Sequence, residues 1–308
     1  MIEAQSLCKS YGNFTAVDDL SFSVEPGQVL GFLGPNGAGK STTMKMLTGF
    51  LTPSSGTALI NGIDVTENSV AALHHIGYLP EGAPSYGEMT VQQFLTFVAR
   101  ARLIETRLLA DSVARAIGKL NLAAVKHQPI ETLSKGFKRR VGLAQAIIHD
   151  PQILILDEPT DGLDPNQKYE VRRLIQEMAQ DKIIVISTHI LEEVEAVCNR
   201  VMIISDGRLL ADDTPRGLIS RSRYHNAVSM VVAGAEKVAS ILSELPEVAK
   251  AELRDGELTL FPAQESGLFE AITAAISRHQ WEVASLRLEA GRLDEVFRSI
   301  TRSEATSC

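Results

Sequence analysis

Continuous apolar runs separated by helical stripes set the plan of the first two-thirds of the chain. Gln28 to Leu33, Ile76 to Pro80, Ile153 to Leu156, Ile183 to Ser187 and Val201 to Ile204 are short runs bounded by turn residues. Runs of this kind predict strands buried on both faces. Between them, apolar residues recur at helical spacing: Val91, Phe94, Leu95 and Val98; Leu109, Val113, Ala116 and Leu120; Phe137, Val141, Ala144 and Ile148; Val171, Leu174, Ile175 and Met178; Ile190, Val194 and Val197. These stripes predict helices that pack a core. Thr90 with Gln93 predicts a capping box at the start of one of them. Strands alternating with helices predict an α/β domain with a mostly parallel sheet, interrupted by a helical insertion at about residues 88–150.

The two ends of the chain read differently. Residues 1 to about 33 predict a strand-rich opening: Ser21-Phe22-Ser23-Val24 alternates, and Glu25-Pro26-Gly27 turns. Thr57-Ala58-Leu59-Ile60 followed by Asn61-Gly62 predicts a hairpin. Beyond about residue 222 the pattern resets to strand, helix, strand, strand, helix, strand, closing on a helix at Leu293–Ile300. That order predicts a ferredoxin-like split βαβ unit. The expected organisation is one domain over 1–218 and a small α+β domain over 222–308.

Composition narrows the possible roles. A chain of 308 residues with 44% hydrophobic and 22% charged residues has room for two cores. A formal net charge of −8 argues against non-specific binding of nucleic acid, and no nucleic-acid partner is expected. Cys8, Cys198 and Cys308 lack metal-ligand spacing and are expected to stay reduced in a cytosol. No apolar run approaches the roughly 20 residues that cross a bilayer, so any membrane role is expected to come through a partner. Lys138-Arg139-Arg140 reads most simply as a solvated face of its helix, with contact to an acidic partner as the alternative, and Tyr11 as a half-buried ring.

The chemistry concentrates around Gly34-Pro35-Asn36-Gly37-Ala38-Gly39-Lys40-Ser41, which fits the phosphate-binding pattern G-x-x-x-x-G-K-[ST]. A strand precedes it and a helix follows, as the pattern requires. Its glycines let backbone N–H groups close around phosphates at the positive end of that helix. Lys40 adds a cation, and the Ser41 hydroxyl can ligate the Mg²⁺ of a nucleotide. Asp157-Glu158 ends a buried strand, where an open α/β sheet faces its ligand cleft. Asp157 is therefore expected to hold Mg²⁺ through water, and Glu158 to activate the attacking water. His189 follows the next strand at the same edge and can reach the terminal phosphate.

Taken in order, these motifs resemble an ATP-binding-cassette (ABC) ATPase, specifically the nucleotide-binding subunit of a bacterial ABC-2 type exporter, with wording similar to its gliding-motility branch. The resemblance covers about residues 1–215 and rests on Gly34–Ser41 (Walker A), Gly77-Tyr78-Leu79-Pro80-Glu81 (Q-loop), Leu133-Ser134-Lys135-Gly136-Phe137 (signature), Ile153–Glu158 (Walker B), Gly162-Leu163-Asp164 (D-loop) and His189 (switch histidine). Leu293-Asp294-Glu295-Val296-Phe297 resembles the closing pattern of the subfamily. The resemblance implies a P-loop NTPase cassette whose helical subdomain docks on a separate integral membrane ABC-2 permease. It implies that Tyr11 stacks on adenine, that Thr42 joins the ATP site, and that Glu81 shares the Mg²⁺ environment. It further implies a homodimer in which Ser134, Lys135 and Gly136 complete the partner's ATP site beside Asp164. ATP and Mg²⁺ are the implied cofactors, and the inner face of the cytoplasmic membrane the implied location. Two motifs depart from the family pattern: in the Q-loop Glu81 stands where Gln is usual, and in the signature Lys135 and Phe137 replace Gly and Gln. The alternative, a soluble ABC ATPase acting on DNA or the ribosome, usually carries two cassettes or a long coiled-coil insertion, and this sequence shows neither.

Overall fold

A computed structural model describes residues 1–264 and 266–305, so Cys308 lies outside the described residues. The chain divides into two compact units, Met1–Thr214 and the remainder from Pro215. In chain order the first unit contains β1 (Ile2–Tyr11), β2 (Phe14–Val24), β3 (Val29–Leu33), α1 (Lys40–Leu47), β4 (Ser55–Ile60), β5 (Ile63–Asp64), α2 (Ser69–His74) and β6 (Ile76–Leu79). It continues with α3 (Val91–Ala101), α4 (Leu109–Lys119), α5 (Lys135–Ile147), β7 (Ile153–Asp157), α6 (Pro165–Met178), β8 (Ile183–Thr188), α7 (Leu191–Val197), β9 (Arg200–Ser205) and β10 (Arg208–Asp213).

Two sheets form this unit. One is antiparallel, in the order β2-β1-β4-β5; the other runs β10-β9-β3-β8-β7-β6 and is parallel except for β10. Every residue of β3, β7 and β8 is buried, which is why these strands read as unbroken apolar runs. Leu7, Leu20 and Phe22 from the antiparallel sheet share a core with Phe32, Ile155, Val185 and Met202 from the parallel one, and Met44 of α1 joins them. Phe22 meets the edge of Phe32 at 5.2 Å between ring centroids. Each such large side chain contributes about 1.5–3 kcal/mol by leaving water. The register of the parallel sheet places the site. Leu33 lies opposite Thr188, Asp157 opposite Ser187, and Leu79 opposite Leu156. The segments that follow β3, β6, β7 and β8 therefore leave the sheet at one edge, as open α/β sheets require of a ligand cleft.

Local signals behave as their chemistry requires. The Thr90 hydroxyl accepts from Gln93 N, and the Gln93 side chain accepts from Thr90 N, closing the capping box of α3. Asn61 and Gly62 both take positive φ (51° and 79°) between β4 and β5. Asp206 and Gly207 do the same (49° and 78°) in a hairpin to β10, a strand that the apolar pattern does not announce because charged residues close both ends of Arg208–Asp213. One expectation is corrected. Arg139 and Arg140 are 4% and 7% exposed, so the basic triplet on α5 is no solvated face. Arg139 is drawn inward because its guanidinium supplies donors to the carbonyls of Pro80, Asp157 and Glu158 at the sheet edge. Arg140 donates to Leu120 O at 3.4 Å, with its guanidinium 4.2 Å from the centre of the Phe137 ring.

The second unit contains α8 (Pro215–Ile219), β11 (Val228–Val232), α9 (Ala235–Leu242), β12 (Val248–Arg254), β13 (Glu257–Pro262), α10 (Leu268–His279), β14 (Val283–Leu288) and α11 (Leu293–Ala305). Its sheet is antiparallel in the order β12-β13-β11-β14. Each strand–helix–strand crossing, β11-α9-β12 and β13-α10-β14, steps over one intervening strand, which is the split βαβ arrangement. Val228, Met230, Leu258, Leu260 and Ile272 fill its core.

Candidate nucleotide site

The loop between β3 and α1 is shaped by glycines at places no other residue fits. A Cβ on Gly34 would lie 2.3 Å from the Ile204 carbonyl oxygen. Gly39 takes φ 99°, and a Cβ there would lie 2.4 Å from the Ala16 carbonyl oxygen. Gly37 also takes positive φ (84°), but open space surrounds it, so its glycine serves the turn alone. α1 starts without a side-chain cap, which leaves its first turn of N–H groups to be satisfied by something other than a capping side chain. Lys40 is buried, and its Nζ donates to Gly34 O (2.7 Å) and Pro35 O (3.0 Å). Burial pulls its ammonium below the usual lysine range, and the nearby carboxylates of Glu158, Asp157 and Glu81 oppose that pull. The Ala38 carbonyl accepts from Gly207 N at 3.2 Å, which ties the loop to the turn before β10.

A cavity of 350 Å³ opens over this loop. It is lined by Asn36, Gly37, Gly39, Lys40, Ser41 and Thr42, by Tyr11, Phe14 and Ala16, and by the carboxyl-bearing Glu81 and Glu158. Tyr11 (51% exposed) and Phe14 (61%) flank the hairpin between β1 and β2, and Lys9 Nζ lies 5.4 Å from the Tyr11 ring centre. Tyr11 is thus about half-exposed, as expected of an isolated surface tyrosine, and its open face borders the cavity. Phe14 belongs to no motif of its own; its spacing from Tyr11 across Gly12-Asn13 is the signal the sequence offers for it.

Of the two carboxylates at the end of β7, Glu158 lines the cavity and Asp157 does not. Asp157 is fully buried; its Oδ1 accepts from the Ser187 hydroxyl, and its Oδ2 has no hydrogen-bond partner. An orphaned carboxylate oxygen beside a hydroxyl-bearing phosphate loop fits a hard, oxygen-loving cation. Mg²⁺ needs only one or two such ligands when phosphates supply the rest. Glu158 takes φ 51°, outside the strand that Asp157 ends, and its N–H donates to Ser187 O at 3.0 Å. That turn aims its carboxylate into the cavity, and Oε1 contacts His189 Nδ1 at 3.0 Å.

The remaining predicted residues lie outside this cavity. Ser134 caps α5, its hydroxyl accepting from Phe137 N at 3.4 Å. Lys135 pairs with Asp161 at 2.9 Å and lies across Gly162, where a Cβ would come within 2.5 Å of its Cδ. The Lys135 hydrogen bond holds the Asp161 carboxyl below the usual range. Gly136 packs on α6, where a Cβ would meet the Gln167 side-chain oxygen at 2.4 Å. Asp164 caps α6 by accepting from Gln167 N at 2.9 Å. None of Ser134, Lys135, Gly136 and Asp164 lines the cavity over the phosphate loop.

Comparison with known proteins agrees with this geometry. The ABC transporter family signature matches residues 17–161. The chain is 39% identical over 223 residues to the probable multidrug ABC transporter ATP-binding protein YbhF of Escherichia coli (strain K12), covering 72% of this chain but 38% of the length of YbhF. It is 31% identical over 303 residues to the ABC transporter ATP-binding protein YxlF of Bacillus subtilis (strain 168), covering 98% of this chain and 100% of YxlF. A solved ATP-binding subunit of an ABC transporter superposes with a TM-score of 0.66 at 28% identity, covering 71% of this chain and 91% of that one. With a phosphate loop, a paired carboxylate edge and a full-length relative in agreement, the chain belongs to the ABC transporter family of ATPases.

Proposed function

We propose that this chain binds and hydrolyses ATP to drive an ABC-2 type exporter, docking on a separate membrane permease at the inner face of the cytoplasmic membrane. The observation that carries the reading is the single cavity in which the phosphate loop, two carboxyl groups and an aromatic face meet. Tyr11 offers its exposed ring to adenine, with Phe14 beside it. The uncapped N-terminus of α1 and the loop N–H groups receive the phosphates. Lys40 turns from the Gly34 and Pro35 carbonyls toward them. Mg²⁺ arriving with the nucleotide supplies charge neutralisation; Ser41 and Asp157 would hold it, with Glu81 in its surroundings. Glu158 takes the proton of the attacking water, and His189, in contact with its Oε1, keeps that carboxylate aligned. A transport role fits the name of the relative YbhF, a probable multidrug ABC transporter ATP-binding protein.

The working unit in this reading is a head-to-tail pair. One chain supplies one phosphate loop and one segment Ser134–Gly136, whose Lys135 meets the Asp161 carboxylate in an exposed pair that a stronger anion can displace. ATP on a facing subunit provides that anion, so closure follows the γ-phosphate and is lost after hydrolysis. Glu158→Gln tests the core of the proposal. It keeps shape and hydrogen bonding but removes the base, so ATP binding stays near wild type while turnover falls roughly 10²–10⁴-fold. Near wild-type turnover by the folded variant overturns the assignment.

A further inference from the structure

Beneath the contact between Glu158 and His189 lies a second carboxylate that the proposed reaction does not use. Glu193, on α7, has a side chain 3% exposed. Its Oε1 accepts from the Thr160 hydroxyl and from Lys168 Nζ at 3.4 Å, and its Oε2 accepts from the Thr188 hydroxyl at 3.0 Å. Thr160 and Thr188 are themselves buried. Their positions give the arrangement its meaning. Thr160 stands two residues after Glu158, and Thr188 immediately precedes His189. Lys168 stands on α6, the helix that Asp164 caps. The Thr188 hydroxyl also accepts from Ile190 N at 3.1 Å, so both sides of His189 are held through one oxygen.

A buried carboxylate is costly unless its oxygens are satisfied. Its ion-pair partner here is a lysine that is itself partly open to solvent. A core of apolar side chains would join α7 to the sheet at lower cost. What a shared acceptor adds is distance control. Two hydroxyls bound to the two oxygens of one rigid carboxylate cannot slide past each other. The segments carrying Glu158 and His189 are already joined by the β7–β8 ladder, by Glu158 N–H to Ser187 O, by Ser187 to Asp157 and by the contact of Glu158 with His189; Glu193 adds a buried link on the far side of both residues.

We infer that Glu193 is a positioning residue for hydrolysis, fixing the alignment of His189 against Glu158 and linking both to the helix headed by Asp164. The inference rests on the proposed roles of Glu158 and His189. Displacing a reacting group by about 1 Å costs on the order of 10²-fold in rate without weakening substrate binding. Glu193→Ala in the full chain therefore lowers kcat roughly 10–10²-fold, with KM for MgATP within about twofold of wild type. Glu193→Gln, which can accept from one threonine and donate to the other, recovers most of the loss.

Activity alone would not separate positioning from general loosening, so the decisive readout is the His189 ring. Its Cε1–H proton resonance, identified as the one missing in His189→Ala, shifts in Glu193→Ala and returns toward its place in Glu193→Gln. If Glu193→Ala fails to fold, Thr188→Val removes the contact beside His189 with almost no change of shape and gives the same two readouts. An unaltered His189 resonance in the folded variant, or kcat equal to wild type, overturns the inference. The reading of the site itself fails separately: Glu158→Gln would then retain turnover, while the His189 resonance still reports on Glu193.

Discussion

Two helix N-termini of the cassette, those of α1 and α5, are finished in opposite ways. α1 begins at a glycine in the left-handed region with no side-chain cap, and its first turn opens onto a cavity holding a buried lysine. α5 begins at Ser134, which caps its own helix, and its next residue is tied to Asp161. The first end is prepared for an anion and lacks one within the chain. The second is satisfied at modest strength by groups that an incoming phosphate could replace. A helix end left bare costs stability unless a ligand satisfies it, which supports the anion site proposed at α1, whereas a capped end needs no ligand and leaves its surface to the proposed assembly.

The largest test of that contrast is a mixing experiment between two disabled chains. Lys40→Ala disables the bare end and Ser134→Arg blocks the capped one, so each homodimer is inactive. If sites form between subunits, a mixed dimer gathers both defects into one site and leaves the other whole, and ATPase activity returns in part. No recovery at any ratio, with mixed dimers shown to form, breaks the shared-site reading.

Next in size is the glycine pair of the phosphate loop. Gly39→Ala forces a Cβ against the Ala16 carbonyl at 2.4 Å in a backbone conformation that L-residues avoid, while Gly37→Ala meets open space. The first variant loses affinity for a fluorescent ATP analogue by more than roughly 10²-fold. The second pays the left-handed conformation alone, about 1–2 kcal/mol or roughly tenfold. Equal losses at both positions would show that backbone conformation, and not the close approach of the β1–β2 region, shapes the loop.

A smaller effect lies just beyond the C-terminus of α5. His149, after α5, has its Nε2 on Ile76 O at 3.1 Å, and burial is the main cause that lowers its pKa from 6.5 to about 4. The carbonyl can only accept, so Nε2 carries the proton and the partnerless Nδ1 would have to gain one on acidification. The unfolded chain binds that proton first. The contribution is therefore complete above about pH 6.5 and is lost as pH falls toward about 4, with a slope of up to about 1.4 kcal/mol per pH unit. Urea unfolding of His149→Gln between about pH 4 and 7 should show this slope reduced; an unchanged slope assigns it elsewhere. The smallest effect belongs to Lys135→Ala. Both side chains of its pair with Asp161 are exposed. Stability by denaturant unfolding therefore changes by at most about 1 kcal/mol. A larger loss would mean that the capped end is held far more firmly than its geometry indicates.

What could be read from the sequence was local. The phosphate loop is legible because glycine, lysine and hydroxyl needs fall within one turn of chain, and its flanking strand and helix declare themselves by periodicity. Asp157 and Glu158 are legible because they end an apolar run. Only the fold decided the rest. Arg139 looks solvated along its helix, and becomes buried because β6 and β7 bring the carbonyls of Pro80, Asp157 and Glu158 to it. Phe14 joins the cavity only when the β1–β2 hairpin reaches the loop, and Glu193 becomes a shared acceptor only when β7 and β8 pair in their observed register. Propensity and periodicity are written in near neighbours, whereas the burial of a charge depends on which distant groups arrive to satisfy it.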